Sequence, residues 1–293
     1  YDCFMFYDED LVADLRFNIL NEYVTKFVVV ESKYTHSGEK RNLLFDLNKY
    51  PKFKDKISYI ILENEPSNLE IVNDNDTDDK KNSKYIMNAL KRENYQRNGI
   101  AKGLKEVNPD DLILISDVDE IPNLSNLKLE NINNEIILFK QNFYYYKFNL
   151  KLEDMPWLGT KACKYKVLKT PQWLRNVKDK KYPFWRLDVL FSDKKYSNIK
   201  FVENGGWHFS NMKSPAEIEK KMRTYLHHRE YDVNPLGEEK IRQIIKSKKS
   251  IYNLRADMKS EKFDGTQNLK PTDGNELPNY IKINKKKYSN WIE

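Results

Sequence analysis

Short apolar segments alternate with helix-like segments in the first part of the chain. Four runs of apolar and β-branched residues are typical of strands buried on both faces, at residues 1–6, 27–30, 58–62 and 112–115. Between these runs, apolar residues recur at helical spacing after Asp8, which we expect to cap a helix, and again over residues 84–105. Because strands that alternate with helices are joined by right-handed crossovers, we predict an α/β fold with a mostly parallel central sheet.

The second part of the chain has a less regular pattern. Residues 135–148, 184–191 and 199–202 are rich in β-forming residues and predict further strands. Ser214 is followed by Pro215 and, three residues on, by Glu217, which is typical of a helix start. We therefore predict helices at residues 214–225 and 237–247.

Composition narrows the class of protein. The 293 residues are 39% apolar and 32% charged, which is typical of a globular chain with enough apolar surface for a large core. Cys3 and Cys163 cannot make a disulfide scaffold, and no CxxC pair is present to bind zinc. No run of about 18 apolar residues occurs, so the sequence predicts no transmembrane helix. The formal net charge of +7 favours an anionic partner, such as a nucleotide, a nucleic acid or a membrane surface, without choosing among them.

Two aspartates directly follow the fourth predicted strand. Asp117 and Asp119 stand two positions apart, and the carboxyl ends of the strands are where α/β sheets bind their ligands. Two such carboxylates can converge on a hard divalent cation such as Mg²⁺ or Mn²⁺, which can in turn neutralise a diphosphate. A polar turn that merely ends the strand is the alternative.

Two reaction classes use an Asp-x-Asp at this place. In metal-dependent transfer from a nucleotide sugar, the carboxylates hold the ion against the diphosphate. In haloacid-dehalogenase-type phosphatases, the first aspartate, here Asp117, is the nucleophile. Those phosphatases prefer Thr or Val where this chain has Ile121, and they usually carry the motif on their first strand. The pattern therefore favours sugar transfer; the phosphatase and a non-catalytic basic protein that binds carbohydrate or nucleic acid are the alternatives.

Polar residues near this motif are candidates for binding a nucleotide. Glu31 and Ser32 end the second predicted strand, and parallel strands would put them on the same sheet edge as Asp117. There they could bond a base or a ribose, and an ordinary transition from strand to loop is the alternative. Arg97, on the long predicted helix, could clamp a phosphate or a sugar, although helix arginines are more often solvated.

A glycine-rich segment at residues 205–210 is a further candidate. Trp207 offers a flat apolar face for a sugar ring, and His208 is a potential third metal ligand. The alternative is a structural turn whose histidine has its hydrogen bonds satisfied.

These segments together resemble glycosyltransferase family 17. The resemblance rests on ordered matches along nearly the whole chain, at residues 2–6, 27–32, 38–39, 115–122, 206–208 and 263–267. Known members of the family are β-1,4-mannosyl-glycoprotein N-acetylglucosaminyltransferases, which add the bisecting GlcNAc. The match is poorest over residues 147–196, where much of acceptor recognition would lie.

The resemblance implies a GT-A-type, Rossmann-like nucleotide-sugar-binding fold, a UDP-GlcNAc donor, a mannose-like acceptor hydroxyl and inversion at the anomeric carbon. Asp117 and Asp119, with His208, would hold a Mn²⁺ or Mg²⁺ ion against the donor diphosphate. A carboxylate would take the proton of the acceptor hydroxyl, with Asp264 ranked first and Glu120 second. The donor itself would be bound by Glu31, Ser32, Arg97, Asp117 and Trp207.

We predict a single domain over residues 1–293, with a nucleotide-binding half at 1–122 and an acceptor-side half with the C-terminal tail at 123–293. The expected partners are a nucleotide-sugar donor and a glycan or glycoconjugate acceptor. No nucleic acid is expected, and membrane association stays open. The chain as given would be cytoplasmic; because it begins at Tyr1, the Golgi lumen is the alternative if an N-terminal anchor was removed.

Overall fold

A computed structural model describes residues 1–125, 127–133, 135–225, 228–253 and 267–293. Four parallel strands form its first part: β1 (Asp2–Met5), β2 (Phe27–Ser32), β3 (Ile57–Leu62) and β4 (Leu112–Asp117). Their order in the sheet is β3-β2-β1-β4, which is the order of a Rossmann-type nucleotide-binding sheet. The predicted α/β class and the Rossmann-like arrangement are confirmed.

Two helices connect these strands, α1 (Asp10–Leu20) and α2 (Asp78–Asn98). Thr77 caps α2 by accepting a hydrogen bond from the Lys80 N–H, and the first turn carries two aspartates, which suit a helix N-terminus. Asp8 does not cap α1 as expected, because Glu9 holds the N-cap position and makes no side-chain bond to the helix. All six residues of β2 are buried, as the run of β-branched residues predicts.

Six further strands extend the sheet: β5 (Glu120–Pro122), β6 (Ile136–Tyr145), β7 (Leu150–Lys164), β8 (Ile199–Val202), β9 (Gly206–Ser210) and β10 (Lys270–Pro271). Beyond β4 the order is β7-β6-β9-β5. The long strand β6 pairs first with β8 and then with β9, and β10 pairs with β7. Across the described ranges, five of the nine pairings are parallel, so the sheet is mostly parallel, as predicted.

The remaining helices surround this second part: α3 (Pro171–Asn176), α4 (Leu187–Leu190), α5 (Pro215–Thr224), α6 (His228–Val233), α7 (Gly237–Lys246) and α8 (Asn279–Ile283). The predicted start of α5 is confirmed, because Ser214 and Glu217 form a reciprocal capping box. The strand predicted at residues 184–191 is wrong. This segment contains the short helix α4, and its large apolar side chains are exposed rather than paired in the sheet.

Three apolar clusters fill the space between these layers. In the first, the ring of Phe17 on α1 contacts Phe27 and Phe53, with ring centroids 4.8 and 5.6 Å away. The third cluster contains Ile218 of α5 and Ile241 of α7, so these two helices share one apolar face. The sheet and its flanking helices therefore provide a rigid frame for the residues at the carboxyl ends of the strands.

Two predictions about protein class can be compared with the structure. Cys3 and Cys163 are both buried and free, in line with the absence of a disulfide scaffold. Over the part of the chain that the structure describes, no helix combines the length and apolar character needed to cross a bilayer.

Candidate active site

A cavity of about 570 Å³ opens at the carboxyl ends of the parallel strands. One wall comes from the loops after β1 and β2, from α2 and from the turn after β4; the other comes from β6, β7, β9 and α5. Of the residues predicted to form the site, Arg97, Asp117, Asp119, Glu120 and His208 line this cavity, which we call the cleft. The volume lies within the range of small-molecule sites, about 300–1000 Å³.

The turn that carries the two aspartates is held from beneath by Arg16 of α1. This fully buried guanidinium forms an ion pair with Asp2, with 2.6 Å between Nη2 and Oδ1. Its Nη1 donates to the backbone carbonyl oxygens of Asp117, Val118 and Glu120, at 3.1, 3.2 and 2.9 Å. Because one planar cation binds three carbonyl oxygens of the same turn, the backbone between β4 and β5 is fixed.

Two further guanidiniums bind the carboxylate of Asp117. Arg97 on α2 and Arg175 on α3 each donate to one of its oxygens, both at 3.1 Å. Burial alone would raise the pKa of Asp117, but the charges of Arg175 and Arg97 outweigh it and hold that pKa well below its ordinary value. The side chain is still 40% exposed, so its ionised carboxylate faces the cleft.

Glu120 is buried beside Asp117 and its carboxylate is fully engaged. It accepts hydrogen bonds from the Asp117 N–H at 2.9 Å and from the Trp157 indole at 2.7 Å, and it pairs with Arg175 at 2.8 Å. A general base needs a free oxygen within about 3 Å of the hydroxyl proton that it takes. This geometry does not favour Glu120 as the base, because its oxygens are bound by Asp117, Trp157 and Arg175.

Asp119 and His208 lie side by side on the cleft, with 3.6 Å between Oδ2 and Nε2. The pairing of β5 with β9 brings them together, because Glu120 lies directly opposite His208 in that ladder. The imidazole stacks on the ring of Phe143, with centroids 4.2 Å apart, and its Nδ1 is buried without a hydrogen-bond partner among the described residues. Burial would raise the pKa of Asp119, but the neighbouring His208 lowers it.

The position of β9 depends on Gly206. Its φ of +134° lies in a region that L side chains rarely adopt. A Cβ atom there would overlap the carbonyl oxygen of Ile121 and would lie 2.8 Å from the Asn123 N–H. Only glycine lets β9 approach β5 closely enough to place His208 next to Asp119.

The side chains at this point offer donor atoms for a divalent cation. Within the described ranges, no group of three or more His, Cys, Asp or Glu side chains forms a ready-made metal site. Asp119 and His208 supply one oxygen and one nitrogen donor, with the ionised Asp117 beside them. Cations that assist phosphate chemistry are often held by one or two carboxylates and complete their shell with substrate oxygens and water. The residues present fit an ion of that kind.

Glu31 and Ser32 do not line the cleft, contrary to their predicted contact with a nucleotide. The buried carboxylate of Glu31 accepts hydrogen bonds from the Leu44 and Phe45 N–H groups and from the Tyr59 hydroxyl, at 2.8, 3.1 and 2.6 Å. It also pairs with Arg41 at 2.9 Å. Glu31 therefore anchors the loop after β2, and the Ser32 hydroxyl accepts from Tyr34 within that loop.

Trp207 does not lie near the cleft either. It belongs to the first apolar cluster, and its indole N–H donates to the carbonyl oxygen of Glu276 at 2.6 Å. Successive side chains on a strand point to opposite faces of a sheet. Because His208 faces the cleft, its neighbour Trp207 faces the core. The predicted base Asp264 lies outside the described residues.

Three residues of the site were missed by the sequence analysis. Arg175 binds both Asp117 and Glu120 from α3, in the segment that resembles the family least. Trp157 of β7 lines the cleft, and its ring lies 4.9 Å from that of His208. Lys221 of α5 also lines the cleft, and its charge contributes to the lowered pKa of Asp119. The only signal in the sequence for Lys221 is its place on the helix predicted at residues 214–225.

Comparison with known proteins gives a family match along the chain. The model of glycosyltransferase family 17 matches residues 1–292. The chain is also similar to the β-1,4-mannosyl-glycoprotein 4-β-N-acetylglucosaminyltransferases of Homo sapiens and Rattus norvegicus, at 29% identity over 115 residues. This region is 38% of the present chain and 19% of the length of each relative. These matches favour sugar transfer over the phosphatase and over the non-catalytic binding protein.

Two solved structures are distantly similar. The galactosyltransferase LgtC, in complex with donor and acceptor sugar analogs, is 12% identical, with 60% of each chain covered and a TM-score of 0.27. An active-site mutant of LgtC is 11% identical, with 84% of this chain and 96% of that chain covered and a TM-score of 0.30. The similarity to both structures is weak, and the fold class follows from the strand order of the sheet.

Proposed function

Because the chain belongs to glycosyltransferase family 17, we propose that it is a metal-dependent, inverting glycosyltransferase that moves GlcNAc from UDP-GlcNAc to a hydroxyl group of a glycan. One observation carries the proposal: Asp119 and His208 lie together on the cleft, beside Asp117 at the end of β4. This is the sheet edge at which α/β proteins bind nucleotides. The donor sugar and a mannose-like acceptor are inferred from the activity of the mammalian relatives.

The charges of the cleft suit a nucleoside diphosphate. Asp119 and His208 would hold Mn²⁺ or Mg²⁺, with Asp117 bound directly or through water, and the ion would supply Lewis-acid stabilisation for the departing UDP. The mixed oxygen and nitrogen donors favour Mn²⁺ over Mg²⁺, which prefers oxygen alone. Lys221, for which the described residues offer no ion pair, would add a positive charge beside the diphosphate.

Arg97 has a different role from the predicted clamp. Its guanidinium binds Glu93, Asp117 and Gln172 and is almost fully buried, so few of its donors remain for a ligand. We assign it, with Arg175, to holding the Asp117 carboxylate toward the cleft. Trp157, half-buried in the cleft wall, replaces Trp207 as the flat face against which a sugar ring would pack.

The base that accepts the proton of the acceptor hydroxyl remains Asp264 in this proposal. Each carboxylate that the described residues place on the cleft already has partners. Glu9 accepts from two backbone N–H groups, and Glu93 pairs with Arg97. Asp117 and Glu120 are bound by arginines, and Asp119 belongs to the cation site. The sequence motif of Asp264 therefore still ranks first for this role.

Thermal stability in the presence of UDP tests the cation and the nucleotide together. We expect UDP to raise the melting temperature more with Mn²⁺ than with EDTA, because ligands that bind only the folded state stabilise it. Asp119→Asn should lose the Mn²⁺-dependent part of this rise in melting temperature. Asp55→Asn, which changes an exposed aspartate away from the cleft, should keep it. An equal shift with EDTA would contradict the metal dependence.

The reaction itself is tested with UDP-GlcNAc and a mannose-terminated glycan. Transfer with inversion would convert the α-linked donor into a β-linked product, which NMR coupling constants distinguish. An α-linked product would contradict inversion. If the protein did not bind or cleave UDP-GlcNAc but another UDP-sugar reacted, that sugar would replace GlcNAc as the assigned donor. The rest of the proposal would stand.

A further inference from the structure

Five large apolar side chains are exposed together on one short segment, residues 184–191, which we call the aromatic tip. Phe184, Trp185, Leu187, Leu190 and Phe191 are between 69% and 90% exposed. The rings of Phe184 and Trp185 contact each other edge to face, with centroids 5.2 Å apart. Single exposed apolar residues are common, but a contiguous group of this kind marks a surface that binds something.

The base of this segment is firmly attached to the fold. Val177, just before it, is buried in the second apolar cluster. The Lys178 N–H donates to the Lys194 carbonyl at 2.7 Å, and the Tyr182 N–H donates to the Tyr196 carbonyl at 3.0 Å. These bonds close a loop whose ends are fixed, so the apolar side chains are presented at its far end.

Lysines flank the aromatic tip on both sides along the chain. Lys178, Lys180, Lys181 and Lys194 are all exposed, and among the described residues none of them has an ion pair. The acidic residues of the segment, in contrast, are already compensated. Asp179 pairs with Lys161, Asp188 with Arg186 and Lys195, and Asp193 with Lys169.

We propose that residues 184–191 insert into the surface of a bilayer that contains anionic lipids, with the flanking lysines facing the headgroups. Trp and Phe side chains favour the membrane–water interface, and each lysine near an anionic leaflet adds attraction. A protein partner fits less well, because the cores of protein–protein interfaces are depleted in lysine. The segment follows α3, whose Arg175 binds Asp117, so the bilayer contact and the cleft are joined by one short stretch of chain.

Sedimentation of the full chain with vesicles tests this proposal. We expect binding to vesicles of phosphatidylcholine with phosphatidylglycerol, weaker binding to phosphatidylcholine alone, and a decrease with salt, which screens the charges. Phe191→Ser should weaken binding about tenfold through the lost apolar contact. Lys180→Ala and Lys181→Ala should each weaken it about fivefold. Ile283→Ser and Ile71→Ser, which change side chains exposed by 82% and 78% elsewhere, should bind like the original chain.

The fluorescence of Trp185 reports insertion directly. Brominated lipids should quench it, and Trp185→Phe should remove most of that quenching while the melting temperature stays unchanged, because the side chain is exposed. Absence of vesicle binding, or binding that Phe191→Ser leaves unchanged, would overturn the proposal. A concentration-dependent dimer that Phe191→Ser abolishes, without vesicle binding, would also overturn it and assign the surface to a second copy of the chain.

Discussion

The two sides of the Asp117–Asp119 turn differ in how their charges are compensated. On the sheet side, Arg16 and Asp2 are fully buried and neutralise each other, and the spare donors of Arg16 bind the backbone of the turn. On the cleft side, Asp119 faces His208 at 3.6 Å, and Lys221 has no ion pair within the described ranges. Charges that are fully compensated by the protein fix its shape, whereas charges left without compensation are available to a ligand.

The largest expected effect is a loss of stability when the buried ion pair on the sheet side is broken. Arg16→Leu should lower the free energy of unfolding by about 3–5 kcal/mol, because it leaves Asp2 buried and unpaired. Urea unfolding measures the change. The matched control is Arg242→Leu, which removes an exposed pair with Glu238 and should change stability by at most about 1 kcal/mol. If Arg16→Leu and Arg242→Leu lowered the free energy of unfolding equally, the sheet-side pair would not have the structural role described above.

On the cleft side, the main effect should be on activity. Asp119→Asn should reduce the turnover number about 100- to 1000-fold, which is typical of losing a group that stabilises developing charge. The free energy of unfolding should barely change, because the only ion pair of Asp119 among the described residues is the long one with His208. Initial rates and urea unfolding provide the two measurements. A variant that loses stability and keeps its turnover would show that Asp119 is structural.

A smaller effect is expected for Lys221→Ala. The KM for the donor should rise about tenfold with little change in the turnover number, if this cation contributes equally to the ground state and the transition state. Lys220→Ala, on the exposed side of the same helix, is the control and should leave the KM unchanged. Steady-state rates over a range of donor concentrations give both constants. If both variants behave alike, Lys221 does not contact the donor.

The smallest effect concerns the pH dependence of stability and involves His36, which lines the cleft. Burial lowers the pKa of His36, and Arg97 lowers it further, against the opposing charges of Glu93 and Asp117. Because the unfolded chain binds this proton more tightly, the contribution of His36 to stability is lost as the pH falls below its ordinary pKa of 6.5. His36→Gln should therefore reduce the loss of unfolding free energy on acidification. If urea unfolding of His36→Gln and of the original chain showed the same pH dependence, the lowered pKa of His36 would be contradicted.

The sequence predicts the parts of the site that depend on local pattern. A buried strand that runs into two aspartates is enough to place Asp117 and Asp119 at a sheet edge, and the capping box places α5. Arg175 could not be predicted, because its contacts with Asp117 and Glu120 join residues 58 and 55 positions apart. No local periodicity encodes such a contact.

The errors have equally physical causes. Glu31 is a polar residue at a strand end, as a ligand-binding residue would be. Its carboxylate, however, accepts hydrogen bonds from backbone N–H groups 13 and 14 residues further along the chain. Trp207 and His208 cannot both face the cleft, because adjacent residues on β9 point to opposite sides of the sheet. The strand predicted at 184–191 rests on propensity alone, and a strand also needs a neighbour with which to pair.

Gly206 has a consequence for any attempt to separate folding from catalysis in this protein. It has no side chain, yet one added methyl group would meet the backbone of Ile121 and Asn123 and force β9 away from β5. Gly206→Ala would thus part His208 from Asp119 without altering a single ionisable group. Binding of the proposed ion therefore depends on a spacing set by a residue with no side chain.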